Sequence, residues 1–241
     1  MPAVSKLLFR EAGSATTGDA GNGFLVDGVT LSSSATCTPT GYVKDNIDLT
    51  AAQIGGTVTG ELDATGCNIG AYFDAAHPGS VSGADIHGAN YFGVVVDGTA
   101  VSVTGSSVHD IGEVPFNGTQ HGNAIWYVNG AHGTISGNTV TRYQKNGITI
   151  RDDSSATVLN NIVTGQGPID YITQNGIQIS FGASATVTGN TVSGNDYTPE
   201  PVTACGLLFF QANGVKQSKN SLFDNETNLC NAGRGGGNTS G

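Results

Sequence analysis

Apolar residues recur along this chain in two short frames that follow one another. The first frame reads apolar, x, x, Asn, x, apolar. It occurs as Ile135-x-x-Asn138-x-Val140, Val158-x-x-Asn161-x-Val163 and Val187-x-x-Asn190-x-Val192. Asn220-x-Leu222 is a degraded copy, and Val81 to Ile86 and Val103 to Val108 keep the apolar positions without the Asn. The second frame is a small residue followed by apolar, x, apolar. Its copies are Gly93-Val94-Val95-Val96, Ala124-Ile125-Trp126-Tyr127, Gly147-Ile148-Thr149-Ile150, Gly176-Ile177-Gln178-Ile179 and Gly206-Leu207-Leu208-Phe209. Alternation with a period of two over such short stretches predicts strands with one buried face.

Successive copies of the first frame start 22, 32, 23 and 29 residues apart. Repeats of this length suit a solenoid whose coils stack about 4.8 Å apart, with insertions changing the gaps and leaving the strands in register. A propeller blade needs roughly 40 residues, and a hexapeptide helix has a stricter period. The pattern therefore predicts an all-β, single-domain parallel β-helix of about seven coils over residues 54–230. Asn138, Asn161, Asn190 and Asn220 are expected to stack as a ladder in one turn, with Gly137 and Gly189 supplying positive φ beside them. Residues 1–53, with the weak strand Phe24-Leu25-Val26, read as an N-terminal cap and irregular first coil, since an open solenoid end invites pairing with another chain. Residues 231–241 read as a flexible tail.

The segments TISGNTV, TVLNNIV and TVTGNTV, followed by QKNGITI and TQNGIQI, resemble the coils of secreted bacterial right-handed parallel β-helix repeat proteins of the pectate-lyase-like superfamily. The resemblance spans roughly residues 55–229. It implies a right-handed helix and a carbohydrate, most simply a polysaccharide, as partner. It does not select an activity, because this fold carries lyases, hydrolases, epimerases and binding modules.

Composition agrees with the pattern. Glycine supplies 37 of 241 residues, while 37% are hydrophobic and only 12% charged. That apolar share separates the chain from disordered Gly-rich sequences. The net charge of −10 argues against binding to nucleic acid or an anionic membrane. No apolar run is long enough for a membrane span, and no long flat apolar stripe suggests a trimeric spike, so a monomer is expected. Cys37, Cys67, Cys205 and Cys230 form no Cys-x-x-Cys pair. Three connectivities exist for two disulfides. Pairing 37 with 67 and 205 with 230 keeps each loop local and is favoured, which implies an oxidising compartment. Met1 to Arg10 is too short and weakly apolar for a complete signal peptide. The expectation is a secreted protein whose signal has been removed.

Candidate chemistry gathers where the first frame ends and the second begins. The longest insertions, 112–122, 165–175 and 194–204, lie there, and loops on one side of a solenoid build its binding face. His109, Asp110, His121, Arg142, Tyr143, Lys145 and Tyr171 are expected to converge from adjacent coils. Removing the proton α to a uronate carboxylate needs a base, a cation and a proton donor. Lys145 or His109 would be the base, Arg142 would hold the carboxylate, and Tyr143 would donate. Asp110, His121, Tyr171 and Gln174 are assigned to substrate binding. So is Trp126, expected outward as a sugar-stacking platform unless a loop covers it. The leading expectation is thus a polysaccharide lyase-like protein acting on an acidic polysaccharide by β-elimination. The alternatives are a non-catalytic glycan-binding module, or a glycoside hydrolase or uronate epimerase on the same scaffold. A hydrolase would need convergent carboxylates, and the chain offers only Asp152-Asp153. An epimerase would use Tyr143, His109 and Asp110. No metal site is assigned. Calcium would be the cofactor expected of a lyase of this kind, yet no carboxylate cluster lines the row.

Overall fold

The computed structural model describes residues 36–199 and 201–232, together with the backbone of Thr239–Ser240. The expected strand at Phe24–Val26 lies outside these residues, as do 233–238 and 241 of the expected tail. Among the described residues two sheets run along the stacked coils. Sheet 1 contains β1 (Thr38–Lys44), β2 (Ile47–Ile54), β4 (Ile69–Phe73), β6 (Phe92–Asp97), β9 (Asn123–Val128), β12 (Asn146–Ile150), β15 (Asn175–Ser180), β18 (Cys205–Phe210) and β21 (Thr227–Ala232), paired in that order. Sheet 2 is bent into two faces. The long strands β3 (Gly56–Asp63) and β5 (Gly79–His87) span both, bending at Gly60 and Gly83, where φ is positive. Beyond them one face carries β7 (Val103–Thr104), β10 (His132–Ser136), β13 (Ser155–Leu159), β16 (Ser184–Thr188), β19 (Val215–Ser218) and β22 (Thr239–Ser240). The other carries β8 (Ser107–His109), β11 (Thr139–Thr141), β14 (Ile162–Ile169), β17 (Thr191–Tyr197) and β20 (Ser221–Phe223). Each coil from β6 to β20 thus contributes three strands, and the two coils before them contribute two each. All neighbours are parallel except β1 and β2. The architecture is a β-solenoid of about seven turns, as the spacing predicts.

Register explains the frames. Val103, Ile135, Val158 and Val187 face one another across successive coils. So do Val108, Val140, Val163 and Val192. Sheet 1 supplies Val94, Ile125, Ile148, Ile177 and Leu207, and all thirteen of these residues are buried in one core. The small residue that opens the second frame has a steric cause. A Cβ on Gly147 would strike Val163 Cγ1 and the Gly176 carbonyl, and one on Gly176 would strike Val192 Cγ1 and the Gly206 carbonyl. Close approach of the two sheets, rather than positive φ, selects Gly there.

The Asn ladder forms as expected. Asn138 Nδ2 donates to Asn161 Oδ1 at 2.9 Å, Asn161 Nδ2 to Asn190 Oδ1 at 2.9 Å, and Asn190 Nδ2 to Asn220 Oδ1 at 3.0 Å. Each Oδ1 also accepts the backbone N–H of the Asn one coil back, so the row satisfies the turn's buried amides. Ser106 takes the place of Asn in the preceding coil, and its N–H donates to Asn138 Oδ1 at 3.0 Å. A second ladder joins Asn195 to Asn225 at 2.9 Å.

The described part of the N-terminal segment is a β1–β2 hairpin closed by Asp45-Asn46, both at positive φ as a two-residue turn demands. Tyr42 of β1 meets a second buried cluster, on the outer face of sheet 1, that includes Ile69, Tyr72, Phe92, Val95 and Trp126. The disulfides are Cys37–Cys67 and Cys205–Cys230, one near each end. They point to an oxidising environment. Among the described residues no helix is long and apolar enough to cross a membrane.

Candidate functional site

The expected insertions do not remain loops throughout. Beyond the core, β14 and β17 pair again as Gly167 with Asn195, Pro168 with Asp196 and Ile169 with Tyr197, after a register shift between Thr164 and Gly167. Two insertions therefore join into one extension of sheet 2. A cavity of about 450 Å³ is lined by Tyr171, Thr173, Tyr197 and Thr203 from these insertions and by Asn175, Gln178, Leu208 and Phe210 from sheet 1. Gln120, Lys145, Ile172 and Val202 complete its wall.

Lys145 sits on the turn between β11 and β12. The turn is fixed on both sides: Lys145 N–H donates to Gly122 O at 2.9 Å, and Asn175 N–H donates to Lys145 O at 3.1 Å. Its Nζ donates to Thr173 O at 2.9 Å. Burial alone pushes the ammonium pKa down, to about 8. No carboxylate lines the cavity among the described residues. Burial also raises the Tyr171 phenol, partly offset by a bond with Gln166.

Buried glutamines hold the insertions in place. Gln144 Oε1 accepts from the backbone of Glu113 and Asn117, each at 3.1 Å, and its Nε2 donates to Thr119 O at 2.8 Å. In the next coil Gln174 Oε1 accepts from Gln166 N at 3.0 Å, and its Nε2 donates to Tyr143 O at 2.6 Å. Gln174 is fully buried, so the expectation that it binds substrate is corrected: it fastens its own loop.

The four residues expected to share one groove lie in three environments. Tyr143 is 0% exposed and belongs to the main core. Its hydroxyl donates to Asn195 Oδ1 at 2.6 Å, and burial drives its pKa far above the usual phenol range. A proton donor to substrate needs access, so that role is withdrawn. Lys145 lines the cavity. His109 and Arg142 belong to the outer surface of sheet 2, where Arg142 Nε pairs with Asp110 Oδ1. His109 lies between Asp110 Oδ2 at 2.7 Å and Asp85 Oδ1 at 2.9 Å. Its ring stacks on His87 one coil earlier, with centroids 5.2 Å apart. Burial pushes the Asp110 carboxyl up, but the bonds from His109 and Arg142 outweigh it and hold the pKa below its usual value.

Trp126 does point outward from sheet 1, but it is only 6% exposed. Its Nε1 donates to the Tyr42 hydroxyl at 3.1 Å, and its ring lies 5.0 Å from Phe92. The Arg151 guanidinium stands 5.1 Å over its ring and 4.7 Å over that of Phe181. The stacking platform expected at Trp126 is therefore covered. His121 is buried as well, with its ring on Tyr91 at 3.8 Å and its Nε2 at 2.6 Å from Glu113 Oε1. Thr119 Oγ1 approaches the same Nε2 at 3.2 Å, so hydroxyl and carboxylate do not sit on opposite ring nitrogens as an activated hydroxyl would require.

Asp152 and Asp153 occupy a turn at positive φ, and Asp152 accepts from Arg151 Nε at 2.8 Å. Among the described residues no group of three His, Cys, Asp or Glu side chains is arranged to hold a metal ion. Of the expected site residues, the cavity brings together Lys145 and Tyr171. It adds Gln120, Asn175, Gln178, Tyr197 and Phe210, which the sequence reading did not select. The available signal was their position: Tyr197 lies in the third insertion, and Gln178 occupies an outward place in the second frame. The Asp85 and Glu113 partners of the two histidines were missed because their spacing forms no motif.

The sequence matches the family described as right handed beta helix region over residues 22–163 and 123–239. Neither a curated protein nor a solved structure matches the chain. Stacked parallel strands, an Asn ladder and a match across most of the sequence agree, and the chain belongs to the right-handed β-helix family.

Proposed function

We propose that this protein is a secreted β-helix module that binds an acidic saccharide in the cavity around Lys145. One observation carries the reading. A single half-buried ammonium stands among neutral amides and aromatic rings, with no carboxylate in the described lining. Sugars are bound by such a set: rings cover their C–H faces, and amides such as Asn175 and Gln178 exchange hydrogen bonds with hydroxyls. An unpaired ammonium in a partly dry site is costly, and a uronate carboxylate would compensate it.

The same geometry favours binding over β-elimination. Elimination needs one group to neutralise the carboxylate and another to take the proton. Lys145 cannot fill both roles at once, and Arg142 is engaged with Asp110 on another surface. Convergent carboxylates for hydrolysis are not among the described lining residues either.

Titration calorimetry with uronate and neutral oligosaccharides tests the reading. Uronate binding should fall at least about tenfold in Lys145→Met, the loss of one charge-assisted contact. Tyr197→Ala should weaken both ligand classes. Equal uronate affinity in wild type and both variants would reject the site. Accumulation of unsaturated product absorbance would reject the non-catalytic part and restore the lyase.

A further inference from the structure

We propose that the Lys145 amine condenses with the aldehyde of an open-chain reducing end, so that the cavity holds a saccharide terminus as a reversible imine. This rests on the saccharide reading of the cavity. Three features support it. At about 450 Å³ the hollow lies near the small end of small-molecule sites, so it suits a chain end better than the middle of a polymer. Carbon surfaces from Ile172, Leu208 and Phe210 share its wall with the amine. Finally, the amine has no anionic partner among the described residues, in a protein with 19 acidic and 9 basic residues. Lys44, Arg142 and Arg151 each pair with an aspartate. Lys145 instead donates to a neutral carbonyl, that of Thr173.

Such surroundings favour the uncharged amine, whose lone pair is the nucleophile. The nitrogen attacks the aldehyde carbon, a C–N bond forms, and the C=O π pair moves to oxygen, which is protonated. The carbinolamine then loses water. Its C–O bond breaks and the nitrogen gives up its remaining proton to leave C=N. Amine and aldehyde give imine and water, and no oxidant or reductant is consumed. Tyr171 lines the same hollow, and its phenol, whose pKa is raised by burial, would carry the proton to the departing oxygen. Prior binding of the sugar by the amides raises the effective concentration of its scarce open-chain form.

The test uses the full chain at pH 8 with a reducing uronate disaccharide and cyanoborohydride, which fixes an imine as a secondary amine. Peptide mapping should find the adduct on Lys145 at least about tenfold faster than on the exposed Lys216 and Lys219. Lys145→Met should lose that fast phase. Labelling of Lys145 no faster than the exposed lysines would overturn the proposal. Calorimetry with the disaccharide and its alditol separates the two claims. If both bind and no adduct forms, imine formation fails while saccharide binding stands. If neither binds, both fail.

Discussion

Asn161 accepts two hydrogen bonds from Asn138, one from its backbone N–H at 3.0 Å and one from its side-chain amide at 2.9 Å. It gives its own amide protons to Ile135 O and to Asn190 Oδ1, each at 2.9 Å. Every polar atom of this buried amide is thus used. In Asn161→Ala the N–H of Asn138 and the carbonyl of Ile135 lose partners without access to water. Each buried orphan costs about 1–3 kcal/mol. We expect a loss of at least about 3 kcal/mol, read as a lower denaturant midpoint at unchanged slope. A loss under about 1 kcal/mol would show that the ladder's turn relaxes to let water in.

The ladder and the core were legible in the sequence because both repeat. Val140, Val163 and Val192 share one environment copied coil by coil, so the chain states it several times. The site is not repeated. Tyr143 reads as a candidate proton donor by residue type, yet it fills the space opposite Gly147 and caps its hydroxyl on Asn195. Its side-chain direction depends on a turn where Arg142 takes positive φ, which no periodicity encodes. Trp126 was correctly placed on the outer row, but its covering comes from Tyr42, 84 residues away. Long-range covering of this kind leaves no local pattern.

Tyr143→Phe separates the core role from a catalytic one. It removes only the donation to Asn195 Oδ1, whose amide stays bonded to Asn225 and Ser193. Stability should drop by about 1–2 kcal/mol, and saccharide affinity by calorimetry should stay within about twofold. A large fall in affinity at full folding would return Tyr143 to the site.

The single Trp of this chain is a built-in reporter of the hairpin cap. Tyr42 bonds its indole and shares its cluster. Tyr42→Ala should destabilise by about 3 kcal/mol, as large-to-small changes in packed clusters do. It should also shift the Trp126 emission to longer wavelength and speed quenching by a soluble quencher. Emission and quenching unchanged from wild type would show that Tyr42 does not shield the ring.

Lys145 predicts an alkaline rise in stability. Its pKa is pushed down by burial from the ordinary 10.5 to about 8. Between those values the unfolded chain holds a proton that the folded chain has released, so unfolding becomes less favourable as pH climbs. The contribution is fully present above pH 10.5 and is lost as pH falls through about 8. Denaturant melts of wild type should therefore gain midpoint relative to Lys145→Met across this window, the two differing least in slope below it. A bound uronate alditol, which has no aldehyde to condense with the amine, reverses the sign, because its carboxylate stabilises the ammonium and holds its proton. Ligand binding near pH 8.5 should then take up protons, seen as a calorimetric enthalpy that changes with the ionisation enthalpy of the buffer. Parallel pH profiles for the two proteins would mean that Lys145 keeps an ordinary pKa, and the ammonium would then be solvated rather than held in the cavity wall.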